Sequence, residues 1–266
     1  MAATALPDLE RAMDAAWPAP DRDERGTWVL RAADGVTQRA NSIWPRIGPD
    51  GTPDETPALL REARAWYRSR RLPVIFQVVD HARNEALNGF LDAEGFTRQS
   101  ETLILVREGG ADSRTPGAGV ELAAEPSAEW LGLWWRVDGR GGPDSLATAR
   151  AILAGCPSLY ALVRDDDGVP AAVGRLAIPP RGSGGPGDWG GLYCMATRPE
   201  VRRRGYGTRV LQALLQAGAA QGLNRYWLLV TAANHGAREL YTAAGFREAG
   251  RYCYRQERPK RHLTGC

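Results

Sequence analysis

The chain has 266 residues, of which 43% are hydrophobic and 24% are charged, a composition typical of globular proteins with a buried core. Its formal net charge of +3 is too small to indicate a nucleic-acid-binding protein, and no apolar run reaches the roughly 18 residues that a membrane span needs. Met1–Asp14 lacks the basic start and apolar stretch of a secretion signal, so we expect a cytoplasmic protein with no nucleic-acid or membrane partner. The four cysteines form no C-x-x-C pair, which favours reduced thiols over a metal site.

The first 110 residues are predicted to form an α/β unit. Strand alternation, helical spacing of apolar residues and turn signals indicate the element order ββαβαβ. The predicted elements are strands over 27–32 and 37–43 joined by a turn at 33–35, a helix over 56–70, a strand over 74–79, a helix over 84–93 and a strand over 101–106.

A polar, turn-rich stretch, Ala111–Gly119, is predicted to be a linker between domains over 1–110 and 120–266. Helices alternate with strands in the second domain too, which predicts a mixed α/β sheet. Its predicted elements are a strand over 120–122, a helix over 127–136 with Ser127 as N-cap, a helix over 144–153, a hairpin of strands over 159–164 and 171–178, a strand over 191–197, a helix over 205–221, a strand over 226–230, a helix over 236–244 and a strand over 251–255.

A faint internal repeat links the two halves. Leu91–Phe96 (L-D-A-E-G-F) aligns with Tyr241–Phe246 (Y-T-A-A-G-F), and each segment ends a predicted helix that leads into a predicted strand. Two copies of one α/β unit would explain the match. The alternative is that the two helix-to-strand junctions share a Gly-Phe pair by chance.

The segment Thr197–Thr208 (T-R-P-E-V-R-R-R-G-Y-G-T) carries the clearest chemistry. It runs from an apolar strand into a long amphipathic helix, whose first backbone N–H groups have no intrahelical partner and attract anions. Gly205 and Gly207 allow close approach of a ligand to the backbone, and the neighbouring arginines add positive charge where the helix dipole already favours an anion. The segment is therefore predicted to bind a phosphate or diphosphate.

The pattern Arg202-x-x-Gly205-x-Gly207 resembles the coenzyme A pyrophosphate loop of the GCN5-related N-acetyltransferase (GNAT) family. The downstream run W-L-L-V-T-A-A-N over 227–234, followed by L-Y-x-x-x-G-F over 240–246, is similar to the family's strand, asparagine and helix. The resemblance implies the GNAT fold, an α/β fold with a mixed, mostly antiparallel sheet and flanking helices.

The N-terminal half also resembles the first half of two-part bacterial GNAT proteins, through G-T-W-V-L-R over 26–31 and R-A-N-S-I-W-P over 39–45. It has no R-x-x-G-x-G loop, and Leu91 stands where Tyr241 stands in the second half. These departures indicate tandem GNAT-like halves, of which the first is degenerate and non-catalytic.

The resemblance also implies roles for individual residues. Two strands splay apart in this fold, and acetyl-CoA lies in the gap. A positioned tyrosine can protonate the leaving thiolate, and Tyr241 is the candidate for this general acid. The alternative role of Tyr241 is to pack its helix on the sheet. The predicted cofactor-binding residues are Met195, Ala196 and Thr197 on the splayed strand, Arg202, Arg203, Arg204, Gly205, Tyr206, Gly207 and Thr208 in the loop, and Asn234 beside the cofactor arm. No metal site is predicted.

The general base is not apparent. Some family members carry a glutamate on the strand before the asparagine, but Leu229 stands at that position here. His235, Asp188 or a chain of water molecules are the alternatives. Trp130 and Trp134 lie at helical spacing beside Trp135, so we expect packing against the sheet rather than an aromatic floor for an acceptor.

We therefore expect an acetyl-CoA-dependent N-acetyltransferase in which a primary amine attacks directly. The sequence does not distinguish three classes of acceptor: a small metabolite, an antibiotic amine and a protein N-terminus. One alternative, suggested by Leu229, is a non-catalytic acyl-CoA-binding sensor. Another is a nucleic-acid-binding protein that uses Arg202–Arg204 and the basic tail over 258–262, which predicts steeply salt-dependent binding.

Overall fold

The computed structural model describes residues 6–46, 56–109, 119–139, 141–180 and 189–258. In chain order the helices and strands are α1 (Leu6–Ala16), β1 (Asp21–Arg25), β2 (Trp28–Ala32), β3 (Trp44–Pro45), α2 (Thr56–Ser69), β4 (Ile75–Val79), α3 (Glu85–Ala93), β5 (Phe96–Glu108), β6 (Val120–Ala123), α4 (Ala128–Asp138), α5 (Pro143–Ala154), β7 (Ser158–Arg164), β8 (Pro170–Ala177), β9 (Trp189–Thr197), α6 (Tyr206–Ala220), β10 (Arg225–Thr231), α7 (His235–Ala243) and β11 (Arg247–Glu257). No helix among these residues is long and apolar enough to cross a membrane.

The chain forms two compact units. Unit 1 combines the residues up to Pro18 with Leu103–Ala249, and unit 2 combines Ala19–Thr102 with the residues after Ala249. The boundaries predicted from the sequence, 1–110 and 120–266, group the first 18 residues and the last strand differently. The chain passes from one unit to the other inside two long strands, after Thr102 in β5 and after Ala249 in β11. No turn marks either change of unit. Of the predicted linker, only Gly119 is among the described residues.

In unit 2, α2, β4 and α3 form where helical spacing and apolar runs predicted them. Residues 252–256 of β11 pair with β4, with Tyr252 opposite Val79. The core packs α2 against the strands through Leu60, Ala63 and Tyr67. Phe76 holds two other rings edge-on, Trp28 at 4.9 Å and Phe96 at 5.5 Å between centroids.

The predicted strand over 37–43 is wrong. Residues 39–41 form a 3₁₀ turn, and β2 pairs instead with β1, which the sequence analysis did not predict. The cause is the Asn41 side chain, whose Oδ1 accepts from the backbone N–H groups of Ala33 (2.8 Å) and Gly35 (2.9 Å). Its amide also donates to the carbonyl oxygens of Val36 (2.8 Å) and Thr37 (2.7 Å). These bonds fold the segment into a compact loop, and β2 pairs antiparallel with β3, over residues 44–45, rather than with the predicted strand over 37–43.

In unit 1 the strand order is β5-β10-β9-β8-β7-β6, with β9 and β10 parallel and β6 to β9 antiparallel. This is the predicted mixed, mostly antiparallel sheet with flanking helices. Helix α6 covers one face: a Cβ added to Gly174 of β8 would lie 2.7 Å from Val210 and 3.1 Å from Leu214. The opposite face carries Arg175 and Tyr160, and there Trp130 of α4 packs edge-on against Tyr160 at 5.0 Å.

Helix α1, which was not predicted, belongs to unit 1. Its apolar residues Leu9, Ala12, Met13 and Ala16 recur at the spacing of one helical face, and all four are buried. Helix α4 begins as predicted, because Ser127 Oγ accepts from the backbone N–H of Trp130 (3.1 Å).

The internal repeat corresponds to one helix ending used twice. After α3, Gly95 has φ +81° and is followed by buried Phe96; after α7, Gly245 has φ +83° and is followed by buried Phe246. A left-handed glycine closes a helix because it has no Cβ to clash with the turn. The two halves therefore share the same junction between helix and strand.

Candidate functional site

The sheet of unit 1 forks between β9 and β10. The two strands pair in parallel from Trp189 opposite Arg225 to Leu192 opposite Leu228. Beyond that point β9 continues to Thr197 and β10 to Thr231, without pairing to each other. The fork predicted from the family resemblance is thus present, and its arms are the residues 193–197 and 229–231.

A β-bulge lies at the base of the fork. Tyr193 faces Arg175 and Ala196 faces Val173, so Cys194 and Met195 together stand opposite Gly174. Cys194 has φ +54°, a conformation that few residues other than glycine adopt. Bulges bend the strand that carries them and redirect its backbone groups. Here the bend separates β9 from β10.

Three aromatic residues brace the base of the fork. Tyr193 stacks on Trp17, with ring centroids 5.3 Å apart and planes at 24°. Its hydroxyl accepts a hydrogen bond of 3.1 Å from Trp227 Nε1, and Trp227 lies on β10. The two diverging strands are therefore tied together by side chains just where their backbone pairing ends.

Arg175 lies beside these rings and is fully buried. Its guanidinium donates to the carbonyl oxygens of Ala16 (3.0 Å), Leu153 (3.2 Å) and Cys156 (3.4 Å). Ala16 ends α1 and Leu153 lies in the last turn of α5, so the negative ends of two helix dipoles face this cation. Among the described residues no carboxylate forms an ion pair with Arg175. The sequence analysis missed this residue, although a single arginine within the apolar run 171–178 was its signal.

The loop after β9 leads directly into α6. A 3₁₀ turn over Pro199–Val201 is followed by two left-handed residues, Arg203 (φ +65°) and Gly205 (φ +82°). The first intrahelical hydrogen bond runs from the N–H of Arg209 to the carbonyl of Gly205 (3.0 Å). The preceding N–H groups therefore lie outside the helical hydrogen-bond ladder, as at any helix N-terminus, and can bind an anion.

This loop also has room for a ligand. A Cβ added to Gly205 would meet no atom within 4 Å, whereas a Cβ on Gly207 would lie 3.4 Å from Thr197 Oγ1 at the end of β9. Exposed Arg202, Arg203 and Arg204 surround the loop, and Arg202 Nε donates to the carbonyl of Thr197 (3.2 Å). An anionic group therefore has open space in which to approach the backbone at Gly205.

The predicted cofactor-binding residues fall into three groups. Arg202 to Thr208 form the loop and the first turn of α6, and Met195 to Thr197 form the splayed end of β9. Asn234 instead caps α7, with its side-chain oxygen accepting from the N–H of Ala237 (3.1 Å). A contact between Asn234 and a cofactor stays a prediction.

Tyr241 is 7% exposed and packs edge-on against Phe246, with ring centroids 6.1 Å apart. Burial raises the pKa of its hydroxyl to about 12. Within the described part of the chain, no group hydrogen-bonds that hydroxyl. The Tyr241 side chain therefore keeps its proton at neutral pH and can donate it.

The structure does not identify a general base. Leu229, at the position where some family members carry a glutamate, is half-buried on the free arm of β10. The candidate His235 is exposed at the start of α7. Asp188 lies outside the described residues.

Trp130 and Trp134 are buried, and Trp130 Nε1 donates to the carbonyl of Gly174 (3.1 Å), so the predicted packing role of these tryptophans is confirmed.

Comparisons with known proteins assign the chain to a family. The family model described as "Probable histone acetyltransferase Rv0428c C-terminal" matches residues 4–255. The chain is 27% identical over 263 residues to the uncharacterized N-acetyltransferase YobR of Bacillus subtilis, covering 94% of this chain and 98% of that protein. It is 30% identical over 227 residues to the probable histone acetyltransferase Rv0428c of Mycobacterium tuberculosis, covering 85% of this chain and 66% of that protein.

Solved structures show the same fold. A GCN5-related N-acetyltransferase from Kribbella flavida superposes with a TM-score of 0.68 at 20% identity, covering 98% of this chain and 97% of that one. A tandem GNAT protein from the clavulanic acid biosynthesis pathway also gives 0.68, at 15% identity and 98% coverage of both chains. The chain therefore belongs to the Rv0428c C-terminal acetyltransferase family, and it is a two-part acyltransferase with the GNAT fold.

Proposed function

We propose that unit 1 transfers an acetyl group from acetyl-CoA to a primary amine by direct attack of the amine. The observation that carries the proposal is the continuity of two sites, because the splayed end of β9 runs straight into the anion-binding loop and the N-terminus of α6. One ligand with an acyl end and a diphosphate can occupy both. The relatives named as N-acetyltransferases support the reaction type.

Each part of the site has a distinct task in this proposal. Bound acetyl-CoA supplies the activated acetyl group. The backbone N–H groups of Gly205 to Thr208, with the charge of Arg202 to Arg204, hold its diphosphate. The backbone of Met195 to Thr197 holds the arm in the fork, and a preorganised N–H there can stabilise negative charge on the carbonyl oxygen.

Tyr241 is proposed as the general acid. Its raised pKa keeps the proton on Oη throughout the neutral range, where it serves as a donor to the departing sulfur. No carboxylate stands at Leu229 to remove a proton from the amine. We therefore expect the amine to be neutral when it attacks, so that the rate rises with pH up to the pKa of the acceptor itself. As the C–N bond forms and the C–S bond breaks, Tyr241 gives its proton to the sulfur, and the proton that the nitrogen loses restores the tyrosine through water.

The acceptor is proposed to be a small amine or a protein amine. The name of the Mycobacterium tuberculosis relative, probable histone acetyltransferase, favours a protein acceptor. A second candidate function, a sensor that binds acyl-CoA without turnover, is favoured by Leu229, which replaces the acidic residue that some relatives use as a base.

The test begins with thermal melting in the presence and absence of millimolar acetyl-CoA. A ligand at a hundred times its Kd stabilises the folded state by about 2.7 kcal/mol, which raises the melting temperature by several degrees. Release of free thiol is then measured with a panel of small amines and with peptides that have free N-termini. A shift with thiol release supports the transferase, a shift without release from any amine supports the sensor, and no shift refutes both.

A further inference from the structure

The loop between β9 and α6 is anchored at its first residue, Arg198. The backbone N–H of Arg198 donates to the carbonyl of Ala171 on β8 (2.9 Å). Its guanidinium forms an ion pair with Asp165, in the turn between β7 and β8. The Arg198 side chain is 23% exposed and the Asp165 side chain is 8% exposed, so most of this contact is shielded from water.

Asp165 is itself held rigidly. Its Oδ1 accepts from the backbone N–H groups of Val169 (2.9 Å) and Asp167 (3.2 Å), while Oδ2 faces Arg198. The hydrogen bond from Val169 and then the contact with Arg198 lower the pKa of this carboxyl, so it stays ionised at neutral pH. A carboxylate bound to its own turn on one side can fix an arginine on the other.

From Arg198 a short chain of hydrogen bonds leads to the loop. The N–H of Val201 donates to the carbonyl of Arg198 (3.1 Å), and the N–H of Arg202 donates to that of Pro199 (3.3 Å). Val201 is buried, and Arg202 Nε donates a hydrogen bond to the carbonyl of Thr197. The segment from β9 to Arg202 therefore has little freedom of its own, and its position follows that of Arg198.

We propose that Asp165 and Arg198 are positioning residues, which set the place of the loop and thereby the affinity for the diphosphate of acetyl-CoA. This inference rests on the proposed function. Neither residue needs to touch the cofactor. Without the ion pair, the loop would still form, but its N–H groups would no longer be preorganised for the ligand.

The chain provides a matched control for this charge. Glu200 Oε2 lies 3.6 Å from Arg198 Nε, but the Glu200 side chain is 71% exposed. Exposed ion pairs are screened by water and contribute little. Glu200→Gln and Asp165→Asn each remove one negative charge beside the same arginine, but only Asp165→Asn removes a shielded one. Asp165→Asn also keeps the Oδ1 acceptor for Val169 and Asp167.

The experiment measures Kd for acetyl-CoA by calorimetry, and KM and kcat by thiol release, in the full chain. We expect Asp165→Asn to raise Kd and KM for acetyl-CoA about tenfold, a loss of about 1.4 kcal/mol of binding, with kcat and the amine KM within twofold of wild type. Glu200→Gln should match wild type. Arg198→Gln, which breaks the pair from its other side, should reproduce the effect, and Arg198→Lys should restore part of it.

The outcomes separate this inference from the proposed function. Wild-type protein that does not bind acetyl-CoA overturns both. Wild-type protein that binds it, with equal binding by Asp165→Asn and Arg198→Gln, overturns only the positioning role. Equal losses in Asp165→Asn and Glu200→Gln overturn it as well, since they would indicate a general charge effect. So would equal changes in kcat and in both KM values, because damage to the fold would not act on acetyl-CoA binding alone.

Discussion

Alanine substitutions at Gly205 and Gly222 can separate the loss of stability caused by backbone strain from a loss of acetyl-CoA binding. The two glycines lie at opposite ends of α6. Gly205 has φ +82° and Gly222 has φ +84°, and a Cβ at either position would meet no atom within 4 Å. Alanine at each site therefore costs only the left-handed conformation, roughly 1–2 kcal/mol. For a chain of this size, each kcal/mol lowers the melting temperature by about 2–4 °C. We expect Gly205→Ala and Gly222→Ala to lose similar stability.

The two variants should differ in acetyl-CoA binding. At Gly205 the new methyl group would occupy the open space through which, in the proposed function, the diphosphate approaches the backbone, whereas Gly222 lies at the C-terminal end of α6. We expect the Kd of Gly205→Ala to rise at least about tenfold, or about 1.4 kcal/mol, and that of Gly222→Ala to stay near wild type. Melting without ligand checks the first expectation, and calorimetric titration with acetyl-CoA checks the second.

Wild-type affinity in a folded Gly205→Ala variant would refute this reasoning. It would mean that the diphosphate does not approach the backbone at the start of α6. Equal loss of affinity in both variants would also refute it, since the effect would then come from lower stability rather than from the loop.

Three further predictions concern single side chains of unit 1. Tyr241→Phe should lower kcat about a hundredfold with little effect on stability at neutral pH. Folding raises the pKa of Tyr241 from its ordinary 10.0 to about 12, so the wild-type protein loses stability as the pH rises from 10 to 12. Melting curves over this pH range should show a smaller loss in the variant. Trp17→Ala should cost about 3–5 kcal/mol in urea unfolding through loss of its stack on Tyr193, and Trp17→Phe distinctly less. Ser127→Ala should cost about 1 kcal/mol by removing the cap of α4, seen as a lower melting temperature at unchanged KM.

Much of unit 1 could be predicted because its elements carry strong local signals. The predicted helices at 127–136 and 205–221 and the hairpin around Asp165 match α4, α6 and the pair β7–β8. The loop at Arg202–Thr208 could be predicted as an anion-binding segment because glycines and arginines precede the start of a helix there, and its binding of a diphosphate stays a prediction. The fork between β9 and β10 was predicted from the resemblance to the GNAT family, because periodicity alone does not reveal where two strands separate.

The missed features depend on contacts between distant residues. Strand β1 reads D-R-D-E-R and has no apolar residue, so only its pairing with β2 makes it a strand. The fold of the loop over 33–41 depends on one side chain, Asn41, whose hydrogen bonds follow no periodic pattern. The roles of Arg175 and Asp165 likewise arise from partners elsewhere in the chain, such as Ala16 and Arg198. No local propensity encodes those partners.

The hydrogen bond between Arg175 and Ala16 has a consequence for how the protein is made. The two residues are 159 positions apart in the chain, so α1 leaves the ribosome long before the surface of β8 and β9 on which it packs has been synthesised. Contacts at such separation slow folding, because the intervening chain must be ordered before they can form. The brace at the fork should therefore be completed late in folding. A fragment that starts at Leu103 should leave Tyr193 without its stacking ring and the guanidinium without one of its carbonyl acceptors, and should aggregate or recruit chaperones.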